Sequence, residues 1–310
     1  MEKRNLTVVR EFVLLGLPSS AEQQHLLSVL FLCMYLATTL GNMLIIATIG
    51  FDHLHSPMYF FLSNLAFVDI CFTSTTVPQM VVNILTGTKT ISFAGCLTQL
   101  FFFVSFVNMD SLLLCVMAYD RYVAICHPLH YTARMNLCIC VQLVAGLWLV
   151  TYLHALLHTV LIAQLSFCAS NIIHHFFCDL NPLLQLSCCF NVMIIFAVGG
   201  LLALTPLVCI LVSYGLIFST VLKITSTQGK QRAVSTCSCH LSVVVLFYGT
   251  AIAVYFSPSS PHMPESNTLS TIMYSVIAPM LNPFIYTLRN RAMKRGLQKM
   301  LFKCTVFQQQ

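Results

Sequence analysis

Charge nearly vanishes from this chain in seven long intervals, near His25–Gly50, Pro57–Leu85, Gly95–Cys126, Leu137–Leu161, Asn191–Leu222, Ala233–Ser257 and Leu269–Leu288. Each is long enough to cross about 30 Å of hydrocarbon, which takes ~20 helical residues. Inside lipid every backbone N–H and C=O must be satisfied within the segment, so each interval predicts a helix. No Gly/Pro-rich linker divides the intervals and no internal repeat is visible. The expectation is therefore an all-α membrane protein: one domain over residues 1–310, built as a seven-helix transmembrane bundle.

Composition agrees. Of the 310 residues 58% are hydrophobic and 8% charged, where soluble globular domains carry roughly 25% charged. So few charges cannot coat a water-soluble surface. The basic residues then orient the chain. Arg121, Arg134, Lys223, Lys230 and Arg232 follow odd-numbered intervals, and Arg289, Arg291, Lys294, Arg295, Lys299 and Lys303 follow the seventh. The opposite side has Lys3, Arg4, Arg10 and Lys89, the first three offset by Glu2, Glu11 and Glu22. The positive-inside rule places residues 1–24 outside, 25–288 in the bundle and 289–310 in the cytoplasm. The first twenty residues lack an apolar stretch long enough for a signal peptide, so the first span is expected to direct insertion into the plasma membrane. Asn5-Leu6-Thr7, the sole N-x-S/T sequon, falls on the outer side and predicts glycosylation of Asn5. The basic tail is interleaved with Met293, Leu297, Met300 and Leu301, a spacing for a short amphipathic helix on membrane lipid.

Most of the fifteen cysteines sit in apolar intervals, where a thiol acts as a small hydrophobe. Cys96, Cys168, Cys178, Cys188 and Cys189 instead gather at span ends on the outer side, where disulfides are permitted. Any four of them allow three pairings, and the sequence does not choose. The longest loop, Ile162 to Phe190, holds four of the five together with His174, His175, Phe176, Phe177 and Asp179, and predicts an ordered lid over the outer mouth.

Two carboxylates fall within the membrane. Asp69 lies ~18 Å along its helix from Pro57, and Asp110 ~16 Å from Arg121, which brings both to a similar depth. No Lys or Arg occupies that depth. Two unpaired carboxylates must share a proton or bind a cation such as sodium, and Asn42 and Asn282 reach a similar level. Pro57, Pro206 and Pro283 begin or interrupt spans and leave local weak points. Cys237-Ser238-Cys239-His240 lacks the second ligand pair that zinc needs, so no metal site is expected there. No G-x-S-x-G, H-E-x-x-H or phosphate loop occurs, which leaves no case for an enzyme, and nothing points to a nucleic acid. A transporter would show repeated halves and broken helices around midplane sites, and neither is apparent.

The third interval closes on Met117-Ala118-Tyr119-Asp120-Arg121-Tyr122-Val123-Ala124-Ile125-Cys126. That string, with Leu54-His55-Ser56-Pro57-Met58-Tyr59-Phe60-Phe61-Leu62-Ser63, Ser213-Tyr214, Arg232-Ala233-Val234-Ser235-Thr236-Cys237-Ser238-Cys239-His240-Leu241 and Pro279-Met280-Leu281-Asn282-Pro283-Phe284-Ile285-Tyr286, resembles the olfactory receptors within the rhodopsin-like (class A) G-protein-coupled receptors. Arg232, Val234 and Cys239 depart from the family's usual Lys, Phe and Ser. The resemblance implies an odorant receptor coupled to a stimulatory, olfactory-type G protein and so to cAMP. It implies disulfides Cys96–Cys178 and Cys168–Cys188, and an inner coupling and switch set of Asp120, Arg121, Tyr122, Tyr214, His240, Tyr248 and Tyr286. It also implies a ligand pocket in the outer half between helices three, five, six and seven. By position its lining would be Phe103, Val104, Val107 and Asn108, then Leu202, Thr205, Ala251, Ile252, Tyr255 and Ile272, with Phe177 from the lid. Such a lining suits a small, volatile, weakly polar ligand.

Overall fold

The computed structural model describes residues 10–16, 21–52, 56–165, 167, 171–186, 192–256, 271–290 and 293–300. Asn5, Cys168, Cys188 and Cys189 lie outside the described residues. Seven helical stretches appear in the expected order: α1 (Ala21–Phe51), α2 (Pro57–Thr86), α3 (Phe93–Cys126), α4 (Leu137–Ala163), α5 (Val192–Lys223), α6 (Thr227–Phe256) and α7 (residues 271–289). Six are long and apolar enough to cross a bilayer. A further short helix, α8, occupies residues 293–300, where the amphipathic tail is expected.

Local chemistry sets the ends. Pro57 opens α2 at the position where a missing N–H costs nothing, and Gly87 closes it with a left-handed φ of 68°. The Ser92 hydroxyl accepts from the Gly95 N–H at 3.1 Å to cap α3, and the Asn136 carboxamide accepts from the Ile139 N–H at 2.9 Å to cap α4. Pro78, Pro206 and Pro283 lie inside helices. In α7 a π-helical turn, Met273–Ile277, precedes Ala278–Arg289. Pro279 and Pro283 withhold their N–H groups there, and the widened turn re-routes the backbone bonding.

The α3 helix is the axis of the bundle and packs against α2, α4, α5 and α6. The main core runs through Phe61, Leu65, Phe72, Phe103, Met109, Leu113 and Val243. The outside is apolar too: Leu26 is 71% and Val245 69% exposed. A surface of that kind is stable against lipid, not water. On the other side of the bundle α1 approaches α7 so closely that a Cβ on Gly41 would stand 3.0 Å from the Pro283 ring. Any larger residue at 41 must push the two helices apart.

A small sheet at the outer end is not foreseen by the hydropathy pattern. Its strands are β1 (Glu11–Leu14), β2 (Thr90–Ser92) and β3 (Ile172–Ile173), in the order β2-β1-β3. The amino-terminal strand pairs antiparallel with β2, Phe12 opposite Ile91, and parallel with β3, Val13 opposite Ile172. Its alternation buries Phe12 and Leu14 in a second cluster with Cys96, Leu100, Ile173 and Cys178. Strand β1 thus ties the loop between α2 and α3 to the loop after α4.

Candidate functional site

Many of the polar links of the bundle interior are anchored on α3. At the outer end Cys96 is disulfide-bonded to Cys178, with Cα atoms 5.5 Å apart. Gln99, one turn deeper and 7% exposed, donates Nε2 to the Thr75 carbonyl at 3.0 Å and accepts from the Cys178 N–H at 2.9 Å. Its carboxamide joins α2, α3 and the lid.

Beneath the lid lies an aromatic layer. Phe177 packs on Phe103 at 4.8 Å between ring centroids, Phe103 on Phe72 at 5.1 Å, and Phe72 on Tyr274 at 5.8 Å. Phe247 continues the layer from α6, 5.7 Å from Tyr274. Phe103 and Phe177, expected as pocket residues, belong to this layer, and Phe72, Tyr274 and Phe247, which carry no such expectation, complete it. Val107, Ala251 and Ile272 pack half-buried against the same core, and Leu202 is half-buried on α5. Val104 belongs to the outer cluster, with Ala155 and Ile162 of α4. Thr205 and Ile252 are exposed and do not pack into this group. The Tyr255 side chain lies outside the described set. Asn108 turns toward α4, where its Nδ2 meets the His154 ring at 3.1 Å; the His154 ring lies tilted against His158, 4.2 Å between centroids.

Two lid groups feel their burial. Burial lowers the His175 imidazole to about 4, and raises the Asp179 carboxyl to about 6, against the opposing pull of the Leu180 N–H. Asp179 caps the short helix Leu180–Gln185 through that 2.7 Å bond.

At mid-depth Asp69, Asp110 and Asn282 line one cavity of about 10 Å³, close to the minimum for a single water. Asn282 donates Nδ2 to both Asp69 oxygens, at 3.1 and 2.9 Å. Asp110 Oδ1 and Asn282 Oδ1 are buried acceptors with no donor. Asn42 instead bonds the Thr38 carbonyl at 3.0 Å and the Pro279 carbonyl at 3.5 Å, and stands outside the cavity lining. One position on from Asp110, the Ser111 and Tyr248 hydroxyls meet at 2.7 Å.

The inner half holds two more links. Tyr214 meets His240 Nδ1 at 2.7 Å, and His240 Nε2 meets the Leu114 carbonyl at 3.0 Å. A carbonyl only accepts, so Nε2 carries the proton, and a neutral ring then accepts from the Tyr214 hydroxyl. Buried His240 therefore staples α3, α5 and α6. Below it Asp120, fully buried, pairs with Arg121, whose Nε donates at 3.0 Å. The other Asp120 oxygen accepts from Tyr131 at 2.8 Å. Burial, and then the Asp120 charge, hold the Tyr131 phenol well above its ordinary value, so it remains a donor. Tyr122 bonds His127 at 3.0 Å, and buried Tyr286 finishes α7. Tyr131, His154 and Gln99 carry no motif that would have singled them out.

A family model described as "Olfactory receptor" matches residues 31–304. The chain is 96% identical to olfactory receptor 1C1 of Homo sapiens across all of both chains. It is 58% identical to olfactory receptor 1F1 of Homo sapiens, over 97% of this chain and 98% of that one. To olfactory receptor 1f45 of Rattus norvegicus it is 56% identical, over 97% of each.

Proposed function

The chain belongs to the olfactory receptor family, and on that premise we propose where its odorant binds and how the signal leaves it. A small, weakly polar volatile occupies the outer half of the bundle, under the lid and against Phe103, Phe177, Val107 and Ala251. Asn108, once released from His154 of α4, and Tyr255 supply its polar contacts. The observation that carries this reading is the sharing of one helix: α3 bears the aromatic layer at its outer half and the Ser111, Leu114 and Asp120 links at its inner half. A ligand that shifts α3 against α6 disturbs Ser111–Tyr248 first and Leu114–His240–Tyr214 next, and so frees the inner ends of α5 and α6. Arg121 then meets a stimulatory, olfactory-type G protein, and cAMP rises. Screening an odorant panel against cAMP in transfected cells tests the reading. Asn108→Ala and Tyr255→Phe should weaken an active odorant by about 0.5–1.5 kcal/mol each, the usual worth of one hydrogen bond, with surface expression intact. Unchanged potency in both variants overturns the placement of the pocket.

The orientation proposed is amino terminus outside. Supporting it, β1 pairs with the loops that hold the Cys96–Cys178 disulfide, and disulfides persist on the oxidising side. A mass shift on endoglycosidase treatment, absent in Asn5→Gln, is the expected result.

The Asp69–Asp110 cavity is proposed as a sodium or shared-proton site. Two buried acceptor oxygens without a donor call for a cation or a proton. Asp69, Asp110 and Asn282 Oδ1 are the groups that would hold it.

A further inference from the structure

A second cavity, of about 60 Å³, opens at the outer end between β1, the beginning of α1, the end of α2 and the lid. Its floor is apolar, from Leu14, Met80, Ile84 and Phe176, of which Leu14, Met80 and Phe176 are buried. Its rim is polar, from Gln24, Asn83, Thr88 and Lys89. We propose that this cleft is a second ligand site, separate from the transmembrane pocket, which takes a small carboxylate-bearing amphiphile.

The charge of the rim selects the head group. Among the described residues Lys89 is the one ionic side chain of the lining. Among the described residues the ion pairs are Arg121–Asp120 and Lys299–Asp52, so Lys89 has none. The cleft also meets two helix ends of opposite sign, the first turn of α1 near Gln24 and the last of α2 at Gly87. Each end is worth about half a charge and they oppose one another, which leaves the ammonium as the net field. A single carboxylate matches it. Asn83 has its Oδ1 engaged by Gln79 Nε2 at 2.9 Å, so its remaining amide hydrogens serve an acceptor. The volume admits roughly four or five waters, or a head group with the first carbons of a tail. Those carbons fit the floor, where their burial removes apolar surface from water.

The floor is also connected. Phe176 packs on Phe177 at 5.0 Å, and Phe177 on Phe103 at 4.8 Å. His175 stacks on Phe176 at 4.5 Å, and its carbonyl accepts from the Gly16 N–H at 3.3 Å. An occupant of the cleft therefore touches Phe176, which packs on the Phe177 ring of the aromatic layer.

The test uses the full chain in lipid nanodiscs, with hexanoate as probe, 1-hexanol as the uncharged control and empty nanodiscs as background, read by saturation-transfer NMR. The expected result is saturable hexanoate binding that exceeds that of 1-hexanol. Affinity should drop roughly fivefold or more in Lys89→Gln, since hydrogen bonds to a charged group are lost, and recover in Lys89→Arg. Leu15→Trp, which fills the cleft from an exposed position, should also abolish it. Asn108→Ala should leave it unchanged, so a failure of the transmembrane pocket reads differently from a failure here. No saturable binding, or affinity retained in either Lys89→Gln or Leu15→Trp, overturns the proposal. Loss in Asn108→Ala with Lys89→Gln unaffected does the same and assigns hexanoate to the transmembrane pocket.

Discussion

The Tyr214 hydroxyl rests on His240 Nδ1 at 2.7 Å, and through the opposite ring nitrogen the same imidazole holds the Leu114 carbonyl of α3. One side chain thus links three helices, at the level where the proposed mechanism has them separate. Both bonds need α5 and α6 against α3, so on the proposed mechanism the staple belongs to the closed arrangement.

Tyr214→Phe removes one of these bonds without altering shape. About 0.5–1.5 kcal/mol of the closed state's advantage should go with it, a roughly two- to tenfold shift toward the open state. The expected outcome is raised basal cAMP per receptor at the cell surface. His240→Ala should raise it further, since both bonds are lost. A basal signal equal to or below that of the natural chain would show that the staple is needed in the open state instead.

Arg121 and Tyr131 act on the same Asp120 carboxylate from opposite sides. Arg121→Ala should therefore reduce G-protein activation by roughly tenfold or more, as befits one lost charged contact, with little change in odorant affinity. Tyr131→Phe leaves the ion pair in place but frees one Asp120 oxygen, and should raise basal signalling modestly. Nucleotide exchange on purified G protein, beside ligand binding, separates the two effects. Equal losses in binding and activation for Arg121→Ala would place its role in folding.

The lid should respond to pH through two opposed groups. His175 is held near 4 by burial, below its ordinary 6.5. The open lid then binds the extra proton between those values, so the closed lid loses stability as pH falls from about 6.5 to about 4. Asp179 is raised to about 6 from 3.8. The closed lid binds that proton, and its stability declines as pH rises from about 4 to about 6. In the natural chain the two slopes largely cancel over this window. Thermal melting of purified receptor should accordingly give a Tm that falls on acidification in Asp179→Asn and rises in His175→Phe. The same slope in both variants would show that neither group governs the lid.

The helices were legible in the sequence because a bilayer asks one thing of every span, and Pro57, Asn136 and Gly87 mark ends by local rules. Helix α6 begins at Thr227, not near Ala233, because backbone hydrogen bonding continues past the hydrocarbon edge into Thr227–Arg232. The β1 strand was hidden for the opposite reason. Four residues pair with partners some 80 and 160 positions away, and no periodicity reports such a distance. The two membrane carboxylates and the inner motif were visible as rare charges in apolar surroundings. The facing of α5 and α6 was not: both are apolar around most of their circumference, so the exposure of Thr205 and Ile252 leaves no trace in composition.

Asp69 and Asp110 offer the sharpest test of the buried polar core. Asn282 satisfies both Asp69 oxygens, while Asp110 Oδ1 and Asn282 Oδ1 remain acceptors without donors in the same small cavity. A cation or proton there ties α2, α3 and α7 together, and an odorant that favours another arrangement of these helices must compete with it. Coupling of this kind is reciprocal: if agonist disfavours the ion, the ion weakens agonist by the same factor. Raising sodium at constant ionic strength should thus lower agonist affinity in purified receptor, and Asp110→Asn should flatten that dependence. Asn282→Ala should flatten it as well, because it removes Oδ1 and releases Asp69. Affinity that ignores sodium but follows pH would identify a shared proton as the occupant. Affinity that follows neither would reduce both carboxylates to structural polar groups.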